Sequence, residues 1–305
     1  MSSTFQTPLL SSAHRILPIL SCPTQILHYP SSSSICLVFI PGNPGLVTFY
    51  HPLLSYIHSL TGHEIYGISY ASHTTLDTSK TGDVDCGNLI GQIEHKQTFI
   101  NTISKPLIII SHSIGSYISR HLTSTYGIIR LIEITPFTRF DPDNISDKLP
   151  PIILTKIPTL VRLISKAINL GVTYLIPSSI LTLVLKLTGC NQTEEIVKLV
   201  KSPGYYDRFL CLGYDEISSL PRTLDLEGLN RILKKIPISQ LYVPDDLWAS
   251  LRHAKQIQEC KRLGYVIGDI RVKIWEGGRH DFCVREGWEE AGKWCVEEIR
   301  GKVKL

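Results

Sequence analysis

Short apolar runs rich in β-branched residues, each closed off by turn residues, recur along this chain and alternate with stretches of helical spacing. The runs fall at residues 35–40, 65–70, 107–110, 128–134, 240–243 and 272–275. They are too short for helices and apolar at most positions, so they read as strands buried on both faces. Between them, Leu89, Ile93, Ile100 and Ile103 line one face of a helical stretch, and Ile114, Tyr117, Ile118 and His121 line a second. A third covers residues 285–300, with Trp288 and Trp294 at apolar positions. Strands of this kind must be covered on both sides. Their alternation with helices predicts the α/β class, a mostly parallel sheet with helices on both faces.

The alternation stops between residues 136 and 237, which carry no strand-like pattern. Residues 151–190 hold Leu, Ile or Val at 19 of 40 positions, and only Lys156, Arg162, Lys166 and Lys186 are charged there. The prediction is a core in two parts, residues 1–135 and 238–305, interrupted by a helical cap over 136–237. In the cap, Leu160, Val161, Leu163, Ile164, Ala167, Ile168 and Leu170 form one broad helical face; Thr159, Arg162, Ser165, Lys166 and Asn169 form the other. A basic amphipathic helix beside a second apolar stretch is what an interfacial anchor requires. Burying six large aliphatic side chains is worth on the order of 9–18 kcal/mol gross. Residues 167–185 carry no charge over 19 positions, close to membrane-spanning length. However, Asn169, Gly171, Pro177, Ser178 and Ser179 interrupt that stretch. A hairpin or two short helices lying in a phospholipid surface is therefore expected, with an ordinary pocket lid as the other use of such a cap.

Composition narrows the function. Charged residues make up 19% of the chain, against roughly 25% in an average soluble domain, which excludes a coiled coil or a disordered tail. With 31 basic and 27 acidic residues the net charge is +4, too small to favour nucleic acid as a partner. The first 20 residues lack a basic start and are interrupted by Ser11, Ser12, His14 and Arg15, so no secretory leader is expected. The eight cysteines contain no C-x-x-C pair and read as reduced thiols of a cytosol-facing protein. Their spacing offers no metal set.

Four local signals carry chemistry. The apolar run 107–110 leads straight into Ser111-His112-Ser113-Ile114-Gly115, and a helical pattern follows. That is the setting of a nucleophile elbow, a strained strand-to-helix turn whose serine must have small neighbours. Here the usual G-x-S-x-G has become S-x-S-x-G, so the Ser111 hydroxymethyl has to be fitted into the turn, with Gly115 as the second small neighbour. Next, Phe39-Ile40-Pro41-Gly42-Asn43-Pro44-Gly45 makes a turn after the run at 35–40. In an α/β-hydrolase that loop supplies one N–H of the oxyanion hole and the residue after the nucleophile supplies the other, here Asn43 and Ile114. Third, His280 lies late in the chain in Glu276-Gly-Gly-Arg-His280-Asp-Phe, a turn suited to deliver a general base. Finally, Asp245 and Asp246 follow the run at 240–243. Either would complete the order Ser, Asp, His and orient the imidazole.

Taken together, these residues resemble the lipid droplet-associated hydrolases, an α/β-hydrolase family with animal and fungal members. The resemblance rests on the Pro41-Gly42-Asn43-Pro44-Gly45 loop, on Phe49-Tyr50, on Gly91-Gln92-Ile93-Glu94-His95-Lys96, on the elbow and on the late Asp-x-Trp and His-x-Phe. It implies the α/β-hydrolase fold, with Ser113 as nucleophile, Asp246 (the Asp-x-Trp position) as acid and His280 as base. Gln92, His95 and Lys96 are expected to be structural, a polar helix face beside the elbow. The family is associated with lipid droplets and lipid storage, which implies a lipid ester substrate of the sterol ester or acylglycerol class. It also implies a place on the droplet or the cytosolic face of the endoplasmic reticulum. No metal or cofactor enters such a mechanism. The alternative is a weak or inactive hydrolase-fold protein that organises droplets by binding lipid or a partner.

Overall fold

The computed structural model describes residues 13–73, 87–125, 127–145 and 158–301. Residues 151–157 and the side chains of residues 159–162 and 169 lie outside what it describes. The six predicted runs are strands: β3 (Cys36–Ile40), β4 (Glu64–Ile68), β5 (Leu107–His112), β6 (Ile128–Ile134), β7 (Ile238–Tyr242) and β8 (Ile270–Ile274). Two more precede them, β1 (Ala13–Ile19) and β2 (Cys22–Tyr29). All eight form one sheet in the order β1-β2-β4-β3-β5-β6-β7-β8. Strands β3 to β8 pair in parallel, and β1 and β2 add an antiparallel hairpin at one edge. This is the α/β-hydrolase fold, a mostly parallel sheet between helices.

Side-chain alternation explains why the runs are continuously apolar. In β3, Cys36, Val38 and Ile40 join one core cluster with Ile109 of β5, while Leu37 and Phe39 join the opposite one with Ile108 and Ile110. Neither face meets water. Helices α1 (His51–Thr61) and α11 (Trp288–Arg300) pack together on one side, and Trp294 and Ile299 enter that core. Helices α2 (Leu89–Ile100) and α3 (Ile114–His121) lie on the other, with Ile100, Ile114 and Ile118 buried.

After β3 the chain goes to β4 on one side, and β5 then returns to pair with β3 on the other. The crevice beyond the carboxyl ends of β3 and β5 is thus a topological switch point, where ligands bind in sheets of this kind. Register sets the two loops side by side, because Ile40 pairs with Ser111.

Between β6 and β7 the described residues form helices only: α4 (Pro142–Ile145), α5 (Pro158–Leu170), α6 (Ser178–Leu187), α7 (Thr193–Val200), α8 (Tyr205–Ser219) and α9 (Leu226–Leu233). A π-helical turn, Gly171–Leu175, links α5 to Ile176 and Pro177, where the backbone is extended. Residues before proline avoid helical geometry, and the chain bends there by 106° into α6. Lys201 closes the bend by donating to the Thr173 and Ile176 carbonyls. No single helix among the described residues is long and apolar enough to cross a membrane. Helix α10 (Leu251–Arg262) follows β7.

One expectation needs correction. Cys22 is disulfide-bonded, so the eight cysteines are not all thiols; Cys36, Cys190, Cys260, Cys283 and Cys295 are free. The sequence offered no local sign of that disulfide, since it contains no C-x-x-C. The polar face of α2 is bonded into the core next to β2 and the residues after β4, and α2 also contacts α3. There Gln92 accepts the Ala71 N–H, Lys96 donates to the Ser69 carbonyl and His95 meets the Thr24 hydroxyl.

Candidate active site

Ser113 sits between β5 and α3 with φ 53° and ψ −126°. A left-handed backbone at a non-glycine residue costs of order 1–3 kcal/mol and persists only where its surroundings hold it. Here the Ser113 N–H donates to the Ile134 carbonyl at 3.1 Å, and its own carbonyl accepts from Ser116 and Phe137 at 3.0 and 3.1 Å. Gly115 is the position that admits no side chain. A Cβ there would lie 2.5 Å from both the Ile40 and Pro41 carbonyl oxygens. Ser111 fits without crowding the turn, because its hydroxyl donates to Ser116 Oγ at 3.2 Å and accepts from Ser119 at 3.4 Å.

His280 Nε2 is 3.0 Å from Ser113 Oγ, and His280 Nδ1 is 2.7 Å from Asp246 Oδ2. Three residues spread over 167 positions of sequence thus meet in one line. The Asp246 side chain has no exposed surface, whereas that of His280 is 21% exposed. Asp246 is itself fixed: its Oδ1 accepts the Trp248 and Ala249 N–H groups at 2.8 and 3.0 Å. Asn144 of α4 holds the same loop by donating to the Asp246 and Leu247 carbonyls. Asp245, the other acid left open by the chain order, is exposed and has a positive φ of 55°. Next to the histidine, burial raises the Asp281 carboxyl, but bonds from Arg279 and Arg285 outweigh it and hold the pKa below the ordinary value.

The loop after β3 lies against the elbow. A Cβ on Gly42 would come within 2.9 Å of Ser113 Cβ, so only glycine lets the loop approach this closely. Gly45, at φ 76°, closes the turn by donating to the Gly42 carbonyl at 2.6 Å. Tyr70 covers it and donates to the Pro41 carbonyl at 2.8 Å. Ile114 follows Ser113 at the start of α3, whose first N–H groups have no partner within the helix, and Asn43 is one residue past Gly42 in the loop that abuts Ser113.

Residues of the helical segment between β6 and β7 reach the same loops, and no local sequence pattern marks them. Asn43 Nδ2 donates to the Phe209 carbonyl of α8 at 3.2 Å. Gln192 donates to the Phe49 and Cys283 carbonyls, each at 2.6 Å, tying the cap to both sides of the site. Such contacts span 91 to 166 residues, beyond any periodic pattern. Among the described residues no group of His, Cys, Asp and Glu is placed to hold a metal.

A sequence model described as lipid-droplet associated hydrolase matches residues 33–283. The human lipid droplet-associated hydrolase is 38% identical over 99 residues, 27% of this chain and 30% of that protein. The Dictyostelium discoideum protein of the same name is 28% identical over 149 residues, 43% of this chain and 46% of that one. These matches span about a third to a half of the relatives' length. Among solved structures, a soluble variant of monoglyceride lipase from Saccharomyces cerevisiae superposes with a TM-score of 0.63 at 14% identity, covering 99% of both chains. A putative lipase from Acinetobacter baumannii gives 0.65 at 13% identity, over 94% of this chain and 91% of that one. Likeness at such identity reports the fold. The family match over most of the chain reports more: this chain belongs to the lipid-droplet associated hydrolase family.

Proposed function

We propose that this protein is a serine hydrolase of lipid carboxylic esters, of the sterol ester or acylglycerol class, working at the surface of lipid droplets or the cytosolic face of the endoplasmic reticulum. The observation that carries the reading is the line Ser113–His280–Asp246 on a strained strand-to-helix turn. In this reading Ser113 attacks the ester carbonyl while His280 Nε2 takes its proton, and Asp246 stabilises the imidazolium that forms. The Asn43 and Ile114 N–H groups receive the oxyanion, and water releases the acyl group through the same base.

The cap supports the lipid setting. A helix on an ordinary globular surface turns its apolar stripe inward. Helix α5 does the reverse: Ser165 is buried and donates to Asp207 of α8, while Leu163 and Leu170 face outward. The bend and α6 continue the pattern, with Leu175 76% and Leu187 78% exposed. Large exposed apolar side chains of this kind mark interaction surfaces. Two bent helices suit a phospholipid monolayer, into which they can lie without crossing it.

Two measurements test the reading. Ser113→Ala should lower ester turnover by several orders of magnitude; unchanged turnover rejects the nucleophile. Flotation with phospholipid vesicles should carry the intact protein upward, and a protein that stays at the bottom rejects the surface role.

A further inference from the structure

A buried hydrogen-bond chain that touches none of the reacting atoms joins three loops of the site. We propose that Tyr50 and His112 are positioning residues: they lock the His280 loop and the oxyanion loop onto the elbow through a chain whose protons can be placed in one way only. This rests on the roles given above to Ser113, Asp246 and His280.

Start from the acceptor that has no choice. His112 Nε2 lies 3.0 Å from the His280 carbonyl oxygen. A carbonyl only accepts, so Nε2 carries the hydrogen. His112 is buried, and burial together with the neighbouring His280 ring holds its pKa well below the ordinary value. The ring is therefore neutral, its Nδ1 is bare, and the Tyr50 hydroxyl 2.7 Å away must donate to it. The Tyr50 oxygen then accepts the Gly42 N–H at 3.2 Å. Every member is satisfied, as a buried polar chain must be if it is to stiffen rather than weaken its surroundings.

Its placement gives the chain a task. His280 stands on a turn outside any helix or strand, so its backbone has no regular ladder to fix it. His112 grips that backbone and is covalently next to Ser113. The rings of His112 and His280 lie 4.9 Å apart, and Phe282 closes on His112 edge-on at 5.0 Å. At the other end the chain holds Gly42, which abuts Ser113. One tyrosine oxygen thus sets the base and the oxyanion loop relative to the nucleophile.

The test uses the full chain and two substitutions, Tyr50→Phe, which removes only the hydroxyl, and His112→Asn. Loosening a base by a fraction of an ångström should lower kcat about 10–100-fold, since misplacement of about 1 Å costs about 100-fold. KM should stay unchanged, and labelling of Ser113 by a fluorophosphonate should slow by the same factor. The double variant should fall no further than the worse single one, because both cut one chain. Nitrogen-15 NMR of the histidines should show His112 as the neutral Nε2–H tautomer, without titration between about pH 5 and 8, the range where a free imidazole changes charge. A Tyr50→Phe protein that melts lower yet keeps wild-type kcat and labelling rate overturns the proposal, as does an Nδ1–H tautomer at His112. If His112→Asn does not fold, Tyr50→Phe decides alone. Failure of Ser113 to label in the wild type would instead sink the hydrolase reading, and the tautomer measurement would still judge the chain of protons.

Discussion

Replacing Asp246 by asparagine should abolish turnover while leaving the fold intact, and the geometry says why. The carboxylate uses its two oxygens differently: Oδ1 accepts two backbone N–H groups, from Trp248 and Ala249, and Oδ2 accepts from His280 Nδ1. An asparagine can sit in two orientations. With its amide nitrogen toward Trp248 and Ala249, two buried N–H groups lose their acceptor, at about 1–3 kcal/mol each. The other orientation keeps both bonds and is favoured by about 2–6 kcal/mol, a preference of at least about 25-fold. That orientation points an N–H donor at His280 Nδ1. The imidazole must then accept there and carry its hydrogen on Nε2, facing Ser113, where it cannot act as a base. Forcing the wrong tautomer in this way costs about 10,000-fold in kcat where it has been measured in serine proteases. The assay is hydrolysis of a short p-nitrophenyl ester, beside thermal melting of the same protein. Asp246→Asn should melt close to wild type, whereas Asp246→Ala, which orphans both N–H groups, should lose both activity and stability. An Asp246→Asn protein within tenfold of wild-type kcat would refute the argument.

Three further outcomes follow from the same structure. Gly115→Ala would set a methyl 2.5 Å from two backbone carbonyl oxygens; it should cost about 1–3 kcal/mol of stability by overpacking, read as a lower urea midpoint, and an unchanged midpoint would contradict the close approach. Acid should destabilise the fold steeply. Burial holds His73 down to about 3, His95 down to about 2, and His112 and His253 well below the ordinary value. Unfolding releases these four imidazoles to their ordinary pKa near 6.5, so the unfolded chain binds more protons and stability falls as pH drops. Glu216, pushed up by burial, keeps its proton in the folded state and offsets one of the four above about pH 4.5. Folded and unfolded states therefore differ in bound protons between roughly pH 5.5 and 4.5, and stability falls as the pH drops through that interval. A urea midpoint that stays flat over that interval would show that these histidines are not buried neutral. In the cap, Leu175→Ser and Leu187→Ser should reduce flotation with vesicles and change stability by less than about 0.5 kcal/mol, as exposed positions do; undiminished flotation would remove the bend and α6 from the lipid contact.

Much of the fold was legible because burial on both faces writes an unmistakable text. β3 and residues 107–110 of β5 are apolar at every position. The β1–β2 hairpin escaped notice for the opposite reason. Its buried positions include Thr24, Gln25 and His28, and its turn uses Leu20 and Ser21 at φ 50° and 63°, where a sequence signal would require Asn or Gly. The candidate triad was legible because each residue stands in the turn that follows a strand, where the sheet's carboxyl edge collects side chains from distant positions. Choosing Asp246 over Asp245 was not possible from chain order alone. The choice depends on which carboxyl is turned inward, and here Asp246 is buried while Asp245 is exposed. The bonds that tie α8 and Gln192 to the site had no signature, since backbone carbonyls accept from any side chain that reaches them.

The most direct test of the central claim is to treat the folded protein with a fluorophosphonate in the presence of phospholipid vesicles and locate the adduct by peptide mass spectrometry. A serine activated by His280 and Asp246 predicts one adduct, on Ser113, which disappears in Ser113→Ala and is strongly slowed in Asp246→Asn. A folded wild-type protein that takes up no label, or takes it up elsewhere, would contradict the account. Such a protein would have kept a hydrolase scaffold for lipid binding alone.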